Sequence, residues 1–485
     1  MEGQLASVPE ESMDGFSTAT YPPGYLYLYR DRIRTIPVLG AQIRSIPFSH
    51  SQSTQTGSSY SSNSGASSSD HVSNNSGRSS HSASVAAEDF IDQVKKIARK
   101  MVRDGYAQRM VQTFDIYSMP VLGKIWDQDR ALADWLFELD VDWVLQLHQL
   151  QDNSASWLQG SVVRWIRALM VTAYSIQEMV STIRRTLAVA QFVKASISKM
   201  LVFIDALVSV PRVGNLGSVL DMYISVSNAS YMFTPVVISP EAQIIFNETG
   251  GLLQREGNRL LETISNTMEE VRALIEDDDS WAIEIPRGGG GVHRKTQLMV
   301  DYIMSMWDAW NQISAPSHSA VNLRGLIENT VDYLKDLLLR KSELCSDPSL
   351  RYLFLLNNSH FITQVYGDHG GLERVKYMDN YLDVSWGPVL SCIPKSNFNG
   401  PFHCLINTSP LAKFQSAFHK TYHAQKFWKV PDPQLRDALR RTIAARVISG
   451  YHDCLKEHPE LAELVSHRSS CPEVFEQMLG ELFEG

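Results

Sequence analysis

The chain is poor in cysteine. It has five in 485 residues: Cys345, Cys392, Cys404, Cys454 and Cys471. The number is odd, the spacing is wide, and no Cys-x-x-Cys pair occurs. A disulfide framework or a zinc ribbon needs thiols in close or matched pairs, so the expectation is reduced cysteines in a cytosolic protein. Excess positive charge is also missing. Lysine and arginine total 44 against 53 acidic residues, a formal net charge of -9. Non-specific nucleic-acid binding draws on clustered cations and is not expected, although a local basic patch for anionic lipid is compatible with this balance. Long hydrophobic runs are absent as well. The most apolar stretch, MLVFIDALVSV from Met200, contains Asp205 and reads as too short to span a bilayer. The opening MEGQLASVPEESMDGF is acidic and has no apolar core, so no secretory signal is expected and any membrane association would be peripheral.

What the chain does have is helix periodicity. Hydrophobic residues make up 44% and charged residues 20%, enough for a large core. From Ser49 to Ser84 the sequence is rich in Ser, Asn, Gly and Thr, with almost nothing to bury, and reads as disordered. Before it, residues 21–48 form an aromatic, basic, proline-broken segment, YPPGYLYLYRDRIRTIPVLGAQIRSIPF, read as a poorly ordered tail that could carry a short linear motif. Residues 1–85 are therefore expected to be a disordered Ser-rich tail, and 86–485 a helical domain. Phe90, Val94, Ile97 and Met101 fall on one helix face. Val162, Trp165, Ile166, Leu169, Met170 and Ala173 form a wide apolar stripe. Leu323, Leu326, Ile327, Leu334, Leu337 and Leu338 form another, with Asn322 as the expected N-cap. Proline and glycine punctuate these runs, alternating strands are absent, and no fixed repeat period appears. The pattern predicts an all-α fold, an elongated rod of stacked antiparallel helical hairpins.

The clearest local signature lies between Lys413 and Arg440. Phe414, Phe418 and Tyr422 recur every fourth residue and share one helix face. After Val430-Pro431 a new helix is announced by Asp432 at the N-cap and Pro433 at the first helical position, where a missing N–H costs nothing. That helix carries Arg436, Arg440, Arg441 and Arg446, with Lys456 and Arg468 further along. These six form the candidate lipid-contacting surface, weighed against a solvated face with local ion pairs such as Asp437–Arg441.

Catalytic patterns are thin. The Gly288–Gly291 run before Arg294-Lys295-Thr296 invites a phosphate loop, but the second glycine of that motif should stand at 294, which is Arg. His419 and His423 have the spacing of a metal-binding pair, yet no glutamate lies between them and no third ligand is near, so no metal is expected. Ser196 and Lys199 match Ser-x-x-Lys without its companion motifs, and read as a helix surface. Glu276-Asp277-Asp278-Asp279 reads as solvated loop charge. No catalytic residue and no cofactor are expected.

Several blocks in order resemble the exocyst 70-kDa subunit family, plant type. They are RKMVRDGYAQRMVQTF around Gly105 and Tyr106, LFELDVDWVLQ around Asp140 and Trp143, GGGGVHRKTQLMVDYIMSMW from Gly288, LRYLFLLNNSHFITQ from Leu350, and the run with Gln425, Trp428 and DPQLR. The resemblance implies a rod of antiparallel helices with no catalytic chemistry. Such proteins tether secretory vesicles to the plasma membrane as part of a complex of eight subunits. Its implied partners are the other exocyst subunits, Rho-type small GTPases and phosphatidylinositol 4,5-bisphosphate bound by basic residues near the C-terminal end, and its implied location is the cytoplasm, peripheral to the plasma membrane. The chain departs from the family where the Ser-rich segment replaces long N-terminal helices. It departs again where the tail from His458 to Gly485 offers, after His458, only His467 and Arg468 as basic groups, at Arg294 in place of the usual Pro, and at Ser449 before Gly450-Tyr451. A second reading follows from these departures: a helical protein-interaction adaptor or regulatory decoy no longer assembled into the exocyst.

Overall fold

Helix starts in this protein repeat one device. Proline opens α8 (Pro240–Glu276), α12 (Pro348–Tyr366), α15 (Pro433–Glu457) and α16 (Pro472–Gly480). At the first three the preceding side chain accepts an orphan N–H: Asp347 Oδ1 from Ser349 at 2.8 Å, Asp432 Oδ1 from Leu435 at 2.7 Å, and Ser239 Oγ from Ala242 at 3.4 Å. The expected cap at Asp432 is therefore present. The cap at Asn322 is not, because α11 begins four residues earlier and spans His318–Ser342. Asn322 lies inside that helix on its exposed side, so the apolar stripe marked the helix but not its start.

The computed structural model describes residues 28–38, 79–115, 127–149, 155–182, 186–209, 213–233, 239–313, 318–366, 371–393, 409–457 and 471–484. Among them the regular structure is helical, with one isolated antiparallel bridge between Lys429 and Glu484. The remaining helices are α1 (Leu28–Arg34), α2 (Ser79–Arg103), α3 (Tyr106–Gln112), α4 (Gln128–Glu138), α5 (Ala155–Thr182), α6 (Thr186–Val208), α7 (Leu216–Met232), α9 (Trp281–Arg287), α10 (Arg294–Asn311), α13 (Gly371–Leu390) and α14 (Ser409–Gln425). Two short 3-10 turns lie at Asp142–Gln149 and Val213–Asn215. α2 starts at Ser79, ahead of the expected boundary at 86, and α1 falls within the segment read as a poorly ordered tail. Most of the Ser-rich stretch lies outside the described residues. The described cysteines, Cys345, Cys392, Cys454 and Cys471, are free thiols, and Cys404 lies outside the described residues.

The chain divides into two units, and α7 and α8 each contain residues of both. In the first unit α2 packs on α5 and α5 on α6. The stripe from Val162 to Ala173 is fully turned inward. Trp135 of α4 and Phe192 of α6 meet edge to face at 5.2 Å, and Phe114 joins them at 5.6 Å. Trp165 is buried with its indole N–H donated to the Met200 carbonyl at 2.8 Å. α6 corrects one expectation. By length and composition it is long and apolar enough to cross a membrane, because the apolar run at Met200 continues the helix begun at Thr186. Most of its apolar residues, among them Phe192, Val193, Ile197, Met200, Phe203, Ile204 and Leu207, are buried in this unit, while Val202 is exposed.

In the second unit α10, α11, α12 and α13 pack each on the next across short connections, which makes antiparallel hairpins. α12 is their common centre, with Leu350, Leu353, Phe354, Leu355, Leu356 and Ile362 buried. α13 also meets α14 and α15, and α15 meets α16. Phe414, Phe418 and Tyr422 line the inner face of α14 as their spacing predicts. Phe414 stacks on Tyr451 at 4.6 Å, and Phe475 of α16 closes on Phe418 at 4.5 Å.

Candidate functional site

Three of the sequence blocks singled out above meet at one buried junction in the second unit. α9 ends in a Schellman motif: Gly289 N–H donates to Pro286 O at 3.1 Å and Gly290 N–H to Ile285 O at 3.3 Å. Gly289 and Gly290 have φ of 60° and 75°, the left-handed region where a side chain is strained. A Cβ on Gly290 would also lie 3.0 Å from Leu350. The loop is clamped by two asparagines of α12. Asn357 Nδ2 donates to Gly290 O at 2.7 Å and to Lys429 O at 2.8 Å. Asn358 accepts the His293 N–H at 3.0 Å and donates to Gly291 O at 3.2 Å and Phe354 O at 2.8 Å. Lys429 N–H completes the ring on Gly289 O at 2.8 Å. The run before α15, the glycine loop and the paired asparagines are thus one hydrogen-bonded unit.

The charges around this junction are used internally. His293 caps α10, accepting the Lys295 N–H at 3.3 Å, stacks on Trp281 at 3.9 Å and reaches Glu284 at 2.9 Å. Burial pushes its imidazole down to about 4, against the opposing pull of Glu284. The Lys295 ammonium bonds the Asp278 carboxylate, meets Ser280 Oγ at 3.0 Å and lies over Trp281 at 5.0 Å. Burial lowers the Lys295 pKa, with Asp278 opposing it. Burial pushes the Asp278 carboxyl up, but Lys295 and the Ser280 donors outweigh it and hold the group well below the usual range. A phosphate cradle needs free backbone N–H groups and a free lysine. Here the N–H groups of Gly289, Gly290, Gly291 and His293 all have protein partners, and so does Lys295.

The five described residues expected to contact lipid differ in how their charges are partnered. Arg440 is the clearest case. Its guanidinium, 18% exposed, donates through Nε to Leu482 O at 2.9 Å, bonds the same carbonyl through Nη2, and reaches Glu484 at 3.1 Å. It pins segment 481–484, whose Leu482 and Phe483 are buried. Arg446 pairs with Asp379 at 3.2 Å and Asp383 at 3.4 Å. Arg436 is half-buried. Arg441 is exposed and donates to the Asp437 carbonyl at 3.2 Å, and Lys456 is exposed. Arg468 lies outside the described residues.

The other motifs fall into ordinary places. His419 and His423 stack at 6.2 Å, with His419 against Phe475 at 5.9 Å. Ser196 is buried inside α6 while Lys199 is exposed. Sequence reasoning missed the clamp role of Asn357 and Asn358. The available signal was two amides in the middle of an otherwise apolar helix, where each demands a partner.

These features define an all-helical protein whose buried polar groups hold helix junctions together. The chain belongs to the Exo70 family: the model of the C-terminal region of the Exo70 exocyst complex subunit matches residues 165–481. Among curated relatives, exocyst complex component EXO70A1 of Arabidopsis thaliana is 22% identical over 439 residues, 80% of this chain and 66% of its own length. EXO70B1 of the same plant is 24% identical over 369 residues, 68% of this chain and 58% of its own. EXO70A3 is 24% identical over 289 residues, 52% of this chain and 48% of its own. The chain thus spans about half to two thirds of the length of these relatives. A solved structure of S. cerevisiae Exo70 covers 85% of this chain and 90% of its own at 12% identity, with a TM-score of 0.42.

Proposed function

We propose that the chain is a non-catalytic subunit of the exocyst tethering complex, helping to dock secretory vesicles at the plasma membrane from the cytoplasmic side. The observation that supports it is family membership across residues 165–481. The proposed mechanism is binding energy alone, with other exocyst subunits as the principal partners and Rho-type small GTPases as further ones. Affinity purification of the whole chain from cells, read by mass spectrometry, tests this directly. Co-purification of other exocyst subunits is the expected result. A chain that brings none of them down is an adaptor or decoy outside the complex.

Contact with phosphatidylinositol 4,5-bisphosphate is the second part of the proposal, assigned to the exposed cations of α15. Arg441, Lys456 and Arg446 span an arc of about 140° on an ideal helix. Each cation near an anionic leaflet contributes on the order of 1 kcal/mol. Asp379 and Asp383 offset the charge of Arg446. The contact is therefore weak and rests on Arg441 and Lys456, with Arg468 as a further candidate. Flotation with liposomes containing this lipid should fall in Arg441→Glu/Lys456→Glu. Unchanged flotation removes the contact from α15.

A further inference from the structure

The short helix α1 is held as a ligand is held. Seven residues cannot sustain a helix alone in water, so α1 owes its form to the surface beneath it. That surface reads both of its ends. The Glu138 carboxylate accepts the Arg30 backbone N–H at 3.2 Å, in the place of an N-cap. Arg167 Nε donates to the Ile36 carbonyl just past the last turn at 2.7 Å. Between these points Arg30 lies over the Phe137 ring at 4.1 Å, donates to Phe137 O at 2.9 Å, and pairs with Asp140 at 2.9 Å and Asp142 at 3.0 Å. Arg34 reaches the same Asp140 oxygen at 2.8 Å. Tyr29 donates to Asp104 at 2.7 Å, and Ile33 and Ile36 are buried.

The seat itself is built for this charge. α4 ends in a second Schellman motif, with Asp140 N–H on Phe137 O at 3.0 Å and Val141 N–H on Leu136 O at 2.9 Å. Glycine is the usual residue at that left-handed position, but here it is Asp140, with φ of 64°. Its side chain is 3% exposed and is spent on two arginines of α1. Backbone strain of this kind collects at ligand clamps. Residues 35–78 separate α1 from α2, and a stretch of that length can reach many positions besides this one.

We propose that the acidic seat of Asp104, Glu138, Asp140 and Asp142 is an exchangeable docking site for one basic amphipathic helix, and that α1 is its resident, displaceable occupant. The recognised pattern is Arg30, Ile33, Arg34 and Ile36, two cations one turn apart beside two apolar anchors. The assignment is independent of assembly into the exocyst.

The test uses the full chain with a specific protease site placed between Ser59 and Ser68. After cleavage and gel filtration, a fluorescent peptide of residues 24–40 is added and its anisotropy followed. The expected result is release of the α1 fragment from a still-helical body. The labelled peptide should then bind saturably, with Kd below the millimolar effective concentration typical of a tethered segment. Binding should weaken at least tenfold with Arg30→Glu in the peptide or Asp140→Asn in the chain, and should fall with added salt. Three results would each overturn the proposal. The fragment stays on and does not exchange; the cut chain unfolds when it leaves; or the peptide binds Asp140→Asn as well as it binds the parent.

Discussion

Arg440 Nε lies 2.9 Å from the carbonyl oxygen of Leu482, across 42 positions of sequence. One basic residue of α15 thus fixes the segment that carries Leu482 and Phe483 into the core, beneath Tyr381 and beside the Lys429–Glu484 bridge. A charge that reads as membrane-facing in the sequence is a staple in the fold. The distinction has a measurable consequence. Arg440→Ala should cost about 1.5–3 kcal/mol, the range for hydrogen bonds to a charged group. Arg440→Lys should not restore it, because an ammonium cannot make the same forked contact. Urea unfolding measures the cost, and hydrogen exchange in residues 471–484 should rise with it. Unchanged exchange there would show that the staple holds nothing.

The clamp at Asn357 predicts a larger effect from a smaller change. Asn357→Leu keeps the side chain close in size but leaves Gly290 O and Lys429 O without their donor. Each buried group left unpaired costs about 1–3 kcal/mol, so a loss of about 2–6 kcal/mol is expected. Asn357→Asp should be worse, since a carboxylate would face two carbonyl oxygens. Thermal unfolding of both variants checks the order.

Much of this was open to reading from residue order alone. Apolar stripes at helical spacing name the buried faces of α5, α11 and α14, because burial on a helix repeats every three to four residues whatever it packs against. Asp432-Pro433 names a helix start, because the cap is a local event between neighbours in sequence. What stayed hidden depends on partners far along the chain. Nothing beside Arg440 indicates that its partner is a carbonyl at 482, nor that Arg446 would meet Asp379 and Asp383. The same holds for α1. Its residues read as a basic, proline-broken tail until Asp140 and Glu138, more than a hundred positions away, supply the countercharge.

Two buried groups pull the acid stability of the protein in opposite directions. Burial holds His293 down at about 4, below its unfolded value near 6.5. The unfolded chain therefore takes up that proton first, and the stability it contributes is lost as pH falls from about 6.5 to 4. Burial pushes Glu138 up to about 6, from 4.5. The folded chain holds that proton longer, so its contribution is present below 4.5 and is lost as pH rises through 4.5 to 6. Urea unfolding at closely spaced pH values separates them. His293→Phe should make the acid-side loss of stability shallower, and Glu138→Gln should make it steeper. The reverse order would mean that neither group titrates as its burial dictates.

Asp140 sets local strain against a long-range contact, and the two can be parted by substitution. Asp140→Gly removes a left-handed strain of roughly 1 kcal/mol at the end of α4 and at the same time deletes the carboxylate that holds Arg30 and Arg34. If α1 is a docked ligand, global unfolding of Asp140→Gly should move by no more than about 1 kcal/mol in either direction. Amide exchange at residues 29–36 should nevertheless speed up sharply. Asp140→Asn, which tolerates the same backbone, should speed exchange without any gain in global stability. Arg30→Ala should match Asp140→Asn at those amides, since it breaks the same contact from the other side. A global loss of several kcal/mol in all three would instead make α1 an integral part of the first unit's core, since only a helix that others fold around carries that much when its anchor goes.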